Sequence, residues 1–445
     1  MDISLTQSLI ALTAGIVLIV LLTTRFKLHA FFALIAACFV VGLGLSMPLT
    51  DILATTKTGF GNIIGALGLI IVFGTALGII LEYTGATLVL ANAILRITGQ
   101  KRAANAMNIT GYVVGLPIFC DSGYIVLSSL NKNLAKRTGT AVALMAGSLA
   151  SGLYAVHCLI PPHPGAAAAT ATLSADFGLV VLYGMFVAVP TAYIGLVWAK
   201  YASKSLQIEA TEAGEETENE TEVKKLPSVW LSLLPIVVPI VLIGIRSFMQ
   251  IGETSSFIAA LFYAIGAPEI ALAVGVLLAI AGKRDWKLAD LNALMRQAVE
   301  KAGDILLIIG AGGAFGALIA QANIAQHLSG DSAISSMGLM FPFVLAAILK
   351  TAQGSSSVAI ITTATMVLPM LSSLGLNSEM ARVFTVLAMG AGSMMVSHAN
   401  DSYFWVISRF SGVGMPMMLR VFTVATLLMG TVAMAVTYVL YLFIR

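Results

Sequence analysis

Two polar passages interrupt the apolar first half of this chain: GLPIFCDSGYIVL from Gly115 to Leu127, and HCLIPPHPG from His157 to Gly165. Each puts proline, glycine and ionisable residues where lipid-spanning helix is otherwise expected. Bilayer hydrocarbon holds no water to satisfy free backbone groups. Broken helix at that depth is tolerated only inside protein or along a cavity. In the first passage Asp121 and Ser122 follow Pro117 and precede Gly123, so freed amides and carbonyls lie beside a carboxylate and a hydroxyl. A buried carboxylate can hold a proton, because burial disfavours its charged form. The plainer alternative is a structural acid paired with Lys132 or Arg137.

In the second passage His157 and His163 flank Pro161 and Pro162, and Pro164 follows. The prolines stop the helix. The imidazoles can donate to a carboxylate or hydroxyl, or titrate near neutral pH. Alternatively the passage is a hinge whose histidines only bond backbone. No third and fourth ligand stand at a suitable spacing, so no metal site is read here.

The second half carries counterparts. In TAQGSSSVAIITTATMVLP, Gly354 is followed by Ser355, Ser356 and Ser357. Such a cluster at a hairpin tip suits a polyhydroxylated or anionic ligand, with a helix N-terminus facing the carboxylate. Between Gly390 and Val406 come Ser397, His398, Asn400, Asp401 and Ser402, which are costly in a membrane unless they face a cavity. Lys and Arg are nearly absent from the broken segments. Neutral donors from Ser355, Ser356 and Ser357 are therefore expected at a substrate carboxylate. Asn400, Asp121, Ser122, His157 and His163 are expected along its hydroxyls. Candidate proton carriers are Asp121, His163, His398 and Asp401. No cage of hard acidic ligands is evident, so coupling to protons and not to sodium is expected.

The elements that position these residues are membrane helices. The 445 residues are 58% hydrophobic and only 10% charged, with a mean hydropathy of +0.96. Soluble domains carry about 25% charged residues. A net charge of +3, spread over many loops, points to no nucleic-acid partner. The three cysteines are too few and too scattered for a disulfide framework. Met1 to Gln7 has no basic n-region and no A-x-A site follows, so the first apolar stretch reads as a retained helix. A P-loop and an H-E-x-x-H motif are both missing, which argues against ATP-driven pumping and membrane zinc proteolysis. Gly310, Gly312 and Gly316 lie inside an apolar run and read as packing residues, not a dinucleotide loop. No cofactor is expected.

Apolar runs place spans near 8–23, 29–46, 63–82, 139–157, 178–199, 229–249, 257–281, 304–321, 336–349, 381–397 and 420–443. Segments 85–97, 105–130, 161–174, 351–373 and 400–415 are shorter or broken, as re-entrant hairpins or discontinuous helices would be. An acidic stretch with seven glutamates between Glu209 and Glu222 reads as a flexible cytoplasmic linker. It divides the chain into a first membrane repeat (1–200), the linker (201–227) and a second membrane repeat (228–445). Gly74 to Ala86 can be laid on Gly312 to Ala325, sharing Gly-x-x-x-Gly. Ser151 to Pro161 can be laid on Gly392 to Ser402, matching His157 with His398. Basic residues at Arg25 and Lys27, around the linker, and at Lys283, Arg284 and Lys287 mark inside loops. One half then starts outside and the other inside. The expected fold is an all-α polytopic membrane protein with two inverted repeats, discontinuous helices and re-entrant hairpins.

This order of motifs resembles the gluconate permease family, the gluconate:proton symporters, over essentially the whole chain. The resemblance is carried by Arg25-Phe26-Lys27, by Gly123 through Leu127, by Ser397 through Ser402, and above all by His157 through Gly165. The family passage reads H-x-x-x-P-P-H-P-[GA]. The chain departs at Cys120-Asp121-Ser122-Gly123, where gluconate-transporting members often have Glu-Val-Gly or Asp-Val-Gly. The resemblance implies proton-coupled uptake of gluconate or a related sugar or hydroxy acid across a bacterial cytoplasmic membrane. It also implies a homodimer and elevator-type motion. A D-serine or glycerate permease of the same family, a channel, and an intramembrane enzyme using Ser397 with His398 are the other readings.

Overall fold

The computed structural model describes residues 5–204, 226–249, 261, 263–283, 285–321, 336–399 and 401–444. Among these, all regular structure is helical. Residues 205–225 of the acidic linker and Asn400 lie outside the described residues, and α9 runs two residues into the stretch assigned to the linker.

The first half runs α1 (Leu5–Thr24), α2 (Ala30–Gly44), α3 (Leu49–Tyr83), α4 (Ala86–Thr98), α5 (Ala103–Gly115), α6 (Cys120–Thr138), α7 (Val142–Leu159), α8 (Pro164–Thr172) and α9 (Phe177–Ala202). The second half runs α10 (Val229–Met249), α11 (Pro268–Ala281), α12 (Leu288–Gln321), α13 (Met340–Gln353), α14 (Ser356–Val367), α15 (Glu379–Met394) and α16 (Ser402–Ser411). A turn at Met415–Met418 and a π-helical turn at Leu419–Thr423 lead into α17 (Val424–Ile444). The described order repeats. Three outer helices (α1–α3, α10–α12) precede a hairpin (α5–α6, α13–α14), a broken helix (α7–α8, α15–α16) and a closing helix (α9, α17).

The packing repeats as well. In each half the first hairpin arm lies on the broken helix, α5 on α7 and α13 on α15. The closing helix covers the same broken helix, α9 on α7 and α17 on α15. The long helices α3 and α12 pack along each other. Tyr83, at the end of α3, donates to Asp290 at the start of α12 (3.2 Å). Near the other ends, a Cβ on Gly59 would stand 2.6 Å from the Gly313 carbonyl oxygen. The two helices are therefore antiparallel, the relation that inverted repeats require of matching elements.

The long helices overrun the expected spans. Apolar character alone suggests 63–82 and 304–321, whereas α3 has 35 residues and α12 has 34. At 1.5 Å per residue each is about 50 Å long, well beyond a hydrocarbon core of about 30 Å. The additions are polar but helix-forming. In α12 the extra segment is LADLNALMRQAVEKAG, rich in Ala, Leu, Met, Gln and Glu. Hydropathy registers the apolar part of a helix and misses its amphipathic extension. Large apolar side chains such as Leu69, Phe186, Leu277 and Phe443 stay exposed on the bundle, as a lipid-facing surface requires.

Candidate substrate site

Each break has a local cause. Hairpin one turns at Leu116–Phe119, where Pro117 lacks an amide hydrogen, and α6 restarts with Asp121 in its first turn. Hairpin two turns at Gly354, whose φ of 83° suits glycine, and the Ser355 side chain caps α14 by accepting from Val358 N at 3.3 Å. The first broken helix is interrupted after Leu159, and α8 restarts with Pro164 at its first position, where a missing N–H costs nothing. In the second, Asp401 caps α16 by accepting from Tyr403 N at 2.9 Å.

These four restarts meet. The rings of Phe119 and His163, which stand immediately before α6 and α8, are 6.1 Å apart. A Cβ on Gly165 in α8 would lie 3.0 Å from Cα of Ser357 in α14. Asp121 in α6 and Asp401 at the head of α16 act on each other electrostatically. The hairpins also cross between halves: α6 packs on α16, and α14 packs on α8. Four helix N-termini, two from each half, thus converge at the centre. Each carries free amides and about half a positive charge, so together they make a well for an anion.

A fully buried positive charge joins them. Lys350, in the last turn of α13, is 0% exposed. Its Nζ donates to Asp401 Oδ2 at 2.6 Å and to the Gly354 carbonyl. Ser397 Oγ donates to the same carboxylate oxygen. Lys350 therefore ties the tip of hairpin two to the head of the second broken helix. The first half has a neutral version of this tie. His163 Nε2 donates to the carbonyl of Gly115, at the end of the first hairpin arm, over 2.8 Å. His398 Nε2 does the same to Thr351 at 3.3 Å.

Aromatic rings wall the centre. Tyr154 stacks on Tyr403 with centroids 5.5 Å apart and on His157 at 6.4 Å. The rings of His157 and His163 are 5.0 Å apart. The Tyr154 hydroxyl donates to the Ser393 carbonyl of α15 at 3.4 Å. Among the described residues, His157 Nδ1 and both amide atoms of Gln353 are buried without a hydrogen-bond partner. Other buried hydroxyls, such as those of Thr87 and Thr437, also lack a partner, and at the centre these three atoms stand available to a ligand.

The structure therefore gathers Asp121, Ser122, His157, His163, Ser355, Ser356, Ser357, His398 and Asp401 around one centre. Ser122 accepts from Lys301 of α12 at 2.6 Å, and both Lys301 and Lys350 act on Asp121. The serines flank the α14 N-terminus, with Ser356 buried and its neighbours half-buried. Sequence reasoning passed over Lys350, Lys301, Gln353 and Tyr154. For Lys350 a signal existed: a lone lysine closes the apolar run of α13 immediately before the Gly-Ser break. Lys301 carried none, because it lies in a long helix remote in sequence from the breaks it approaches, and Tyr154, five residues before the break after Leu159, reads as an ordinary core aromatic of α7.

A helical membrane bundle whose two halves each contribute a re-entrant hairpin and a broken helix to one buried polar centre is a transporter. The chain belongs to the GntP family of permeases, whose family description matches residues 7–443. It is a multi-pass membrane permease and not an enzyme. It is 32% identical to a gluconate permease of Pseudomonas aeruginosa, over 94% of this chain and 93% of that one. It is 30% identical to the Gnt-II system L-idonate transporter of Escherichia coli, covering 94% and 95% of the two chains. In fold it is similar to the YdaH transporter of Alcanivorax borkumensis, at a TM-score of 0.60 and 15% identity over 89% of each chain. It is likewise similar to MtrF of Neisseria gonorrhoeae, at a TM-score of 0.61 and 15% identity over 87% and 83% of the chains.

Proposed function

We propose that this permease takes up gluconate or a closely related sugar acid together with protons across the bacterial cytoplasmic membrane. The observation that carries the reading is the convergence of four helix N-termini with Lys350. That arrangement suits a single carboxylate. Around it lie Ser355, Ser356, Ser357, Gln353 and His157, a mixed set of donors and acceptors that suits a chain of hydroxyls. The relatives named for gluconate and L-idonate handle molecules of this kind. In this reading the antiparallel α3–α12 pair holds still while the hairpins and broken helices move, and the linker lies on the cytoplasmic side.

Proteoliposomes test it. Labelled gluconate is expected to accumulate when the lumen is made alkaline, to be competed by L-idonate better than by D-serine, and to be indifferent to replacement of sodium by choline at fixed pH. Uptake that collapses without sodium would refute proton coupling, and preferential competition by D-serine would refute the substrate.

The Ser356 hydroxyl is expected to meet the carboxylate. A hydrogen bond to a charged group contributes about 1.5–3 kcal/mol, so Ser356→Ala is expected to weaken gluconate binding roughly tenfold to a hundredfold without unfolding the protein. Calorimetric titration of the purified variant measures this. An unchanged affinity would put the carboxylate elsewhere.

A further inference from the structure

We infer that the substrate carboxylate displaces Asp401 from Lys350, and that the displaced Asp401 carries the coupling proton. The inference rests on the proposed uptake of a sugar acid and supplies the device that would couple it to a proton.

Lys350 is fully buried and Asp401 is 4% exposed, so the pair sits out of water with no net charge. The ammonium has three N–H donors, and Asp401 and Gly354 take two. A carboxylate entering among the helix N-termini finds in Lys350 the one full positive charge that is anchored in the hairpin tip itself. With Lys301 set against Asp121 and Lys350 against Asp401, the free site is balanced; if Asp401 kept its charge, the substrate carboxylate would add one negative charge that no cation offsets, and an uncompensated buried charge is strongly unfavourable. A proton from the outer solution, bound at a carboxylate oxygen of Asp401, restores neutrality. When the anion leaves on the inside, Lys350 pairs again with Asp401, and the proton goes to the cytoplasm. One proton then moves with one anion.

The surroundings fit such an exchange. Asp401 Oδ1 is held by Tyr403 N at 2.9 Å, so the side chain keeps its place as the cap of α16 while Oδ2 changes partner. Ser397 Oγ is already in contact with Oδ2 and can turn to serve either form of the acid. Asp121 on α6 is the second carboxylate in range, with Lys301 of α12 acting on it. From α7, His157 lies in the field of Lys350, and Cys158 and Tyr154 lie in that of Asp401. Cys120 on α6 and Tyr403 on α16 complete the titratable set around the carboxylate. Of all these, Asp401 alone combines a direct bond to Lys350 with a second fixed bond to backbone.

The test uses purified full-length protein in weak buffer with an indicator dye, and gluconate as the probe. The wild type is expected to take up about one proton per gluconate bound, and its affinity to fall about tenfold per pH unit once the free site has lost that proton. Asp401→Asn is expected to bind gluconate with no proton uptake and an affinity that no longer varies with pH. Asp121→Asn and His157→Gln, whatever they do to affinity, should still take up about one proton per gluconate bound. Proton uptake that survives Asp401→Asn, or that disappears in Asp121→Asn or His157→Gln, would overturn the inference. So would a folded Asp401→Asn protein that binds no gluconate. Should Asp401→Asn fail to fold, the wild type and the other two variants decide: uptake retained in all three supports the inference, and no uptake by the wild type overturns it. A wild type that neither binds nor transports gluconate defeats the proposed function itself. A wild type that accumulates gluconate against a pH gradient, with the wrong outcome at Asp401, defeats only this inference.

Discussion

Lys350→Met is expected to abolish transport and to destabilise the folded protein by about 3–5 kcal/mol, the usual loss when one member of a buried ion pair is removed. The replacement fills a similar volume but leaves the Asp401 carboxylate buried without its counter-charge. It also strips the Gly354 carbonyl of its donor at the hairpin tip. The double variant Lys350→Met/Asp401→Asn removes both charges and is expected to recover much of the stability while remaining unable to accumulate substrate. Thermal unfolding of the three purified proteins measures the first effect, and uptake in proteoliposomes the second. A Lys350→Met protein as stable as the wild type would mean that the pair does not hold the hairpin in place.

Gly152→Val is expected to have the next largest effect. A Cβ at Gly152 would stand 2.2 Å from the Asn108 carbonyl oxygen and 2.8 Å from the Tyr112 nitrogen, both backbone atoms of α5. Backbone cannot swing aside as a side chain can, so α5 must move away from α7. Small residues at such crossings are what let membrane helices approach closely. The Asn108 amide nitrogen donates to the Ser148 carbonyl at 3.0 Å and to the Ala192 carbonyl at 3.1 Å, and these bonds would be lost as the helices part. Overpacking of this kind typically costs about 1–3 kcal/mol. Since α5 carries hairpin one, the displacement reaches Asp121 and Ser122, and uptake is expected to fall to background. Gly61→Ala is the control, because a Cβ there meets nothing within 4 Å. If Gly152→Val melts and transports like Gly61→Ala, the close packing of α5 on α7 is not needed.

Much of this organisation was legible in the residues. Pro117, Pro161, Pro162 and Gly354 each interrupt a helix for a covalent reason, and Pro164 suits the first position of the helix that restarts, so the interruptions show without any contact being known. The correspondence between Gly74-x-x-x-Gly78 and Gly312-x-x-x-Gly316 falls on α3 and α12, the two long helices that pack antiparallel. Gly74 and Gly78 seat Pro162 and the Pro117 carbonyl, while Gly312 and Gly316 seat Ile361 and Thr365 of α14. Both motifs thus press on the hairpins and broken helices.

What stayed illegible depends on contacts between distant segments. Lys350 and Asp401 are 51 residues apart, and nothing local says that they meet. A lysine at the end of an apolar run ordinarily reaches for the membrane surface. Only the turn at Gly354 and the return of α16 bury this one. Neutral donors were expected at the carboxylate because lysines are scarce in the broken segments. The structure adds a cation from the arm that precedes the break. Tyr154 is similar: an aromatic in α7 reads as ordinary core until Tyr403, His157 and Ser393 are seen around it.

The central claim is that one sugar acid is bound by both halves at once. Site-directed thiol labelling tests it most directly. Single cysteines are placed at Ser122 in α6 and Ser357 in α14, in a background where Cys38, Cys120 and Cys158 are replaced, and the rate of modification by a small methanethiosulfonate reagent is followed with and without gluconate. The account predicts that saturating gluconate slows modification at both positions, and that D-serine at the same concentration slows neither. Protection at one position alone, or at neither, would contradict a site shared between the halves.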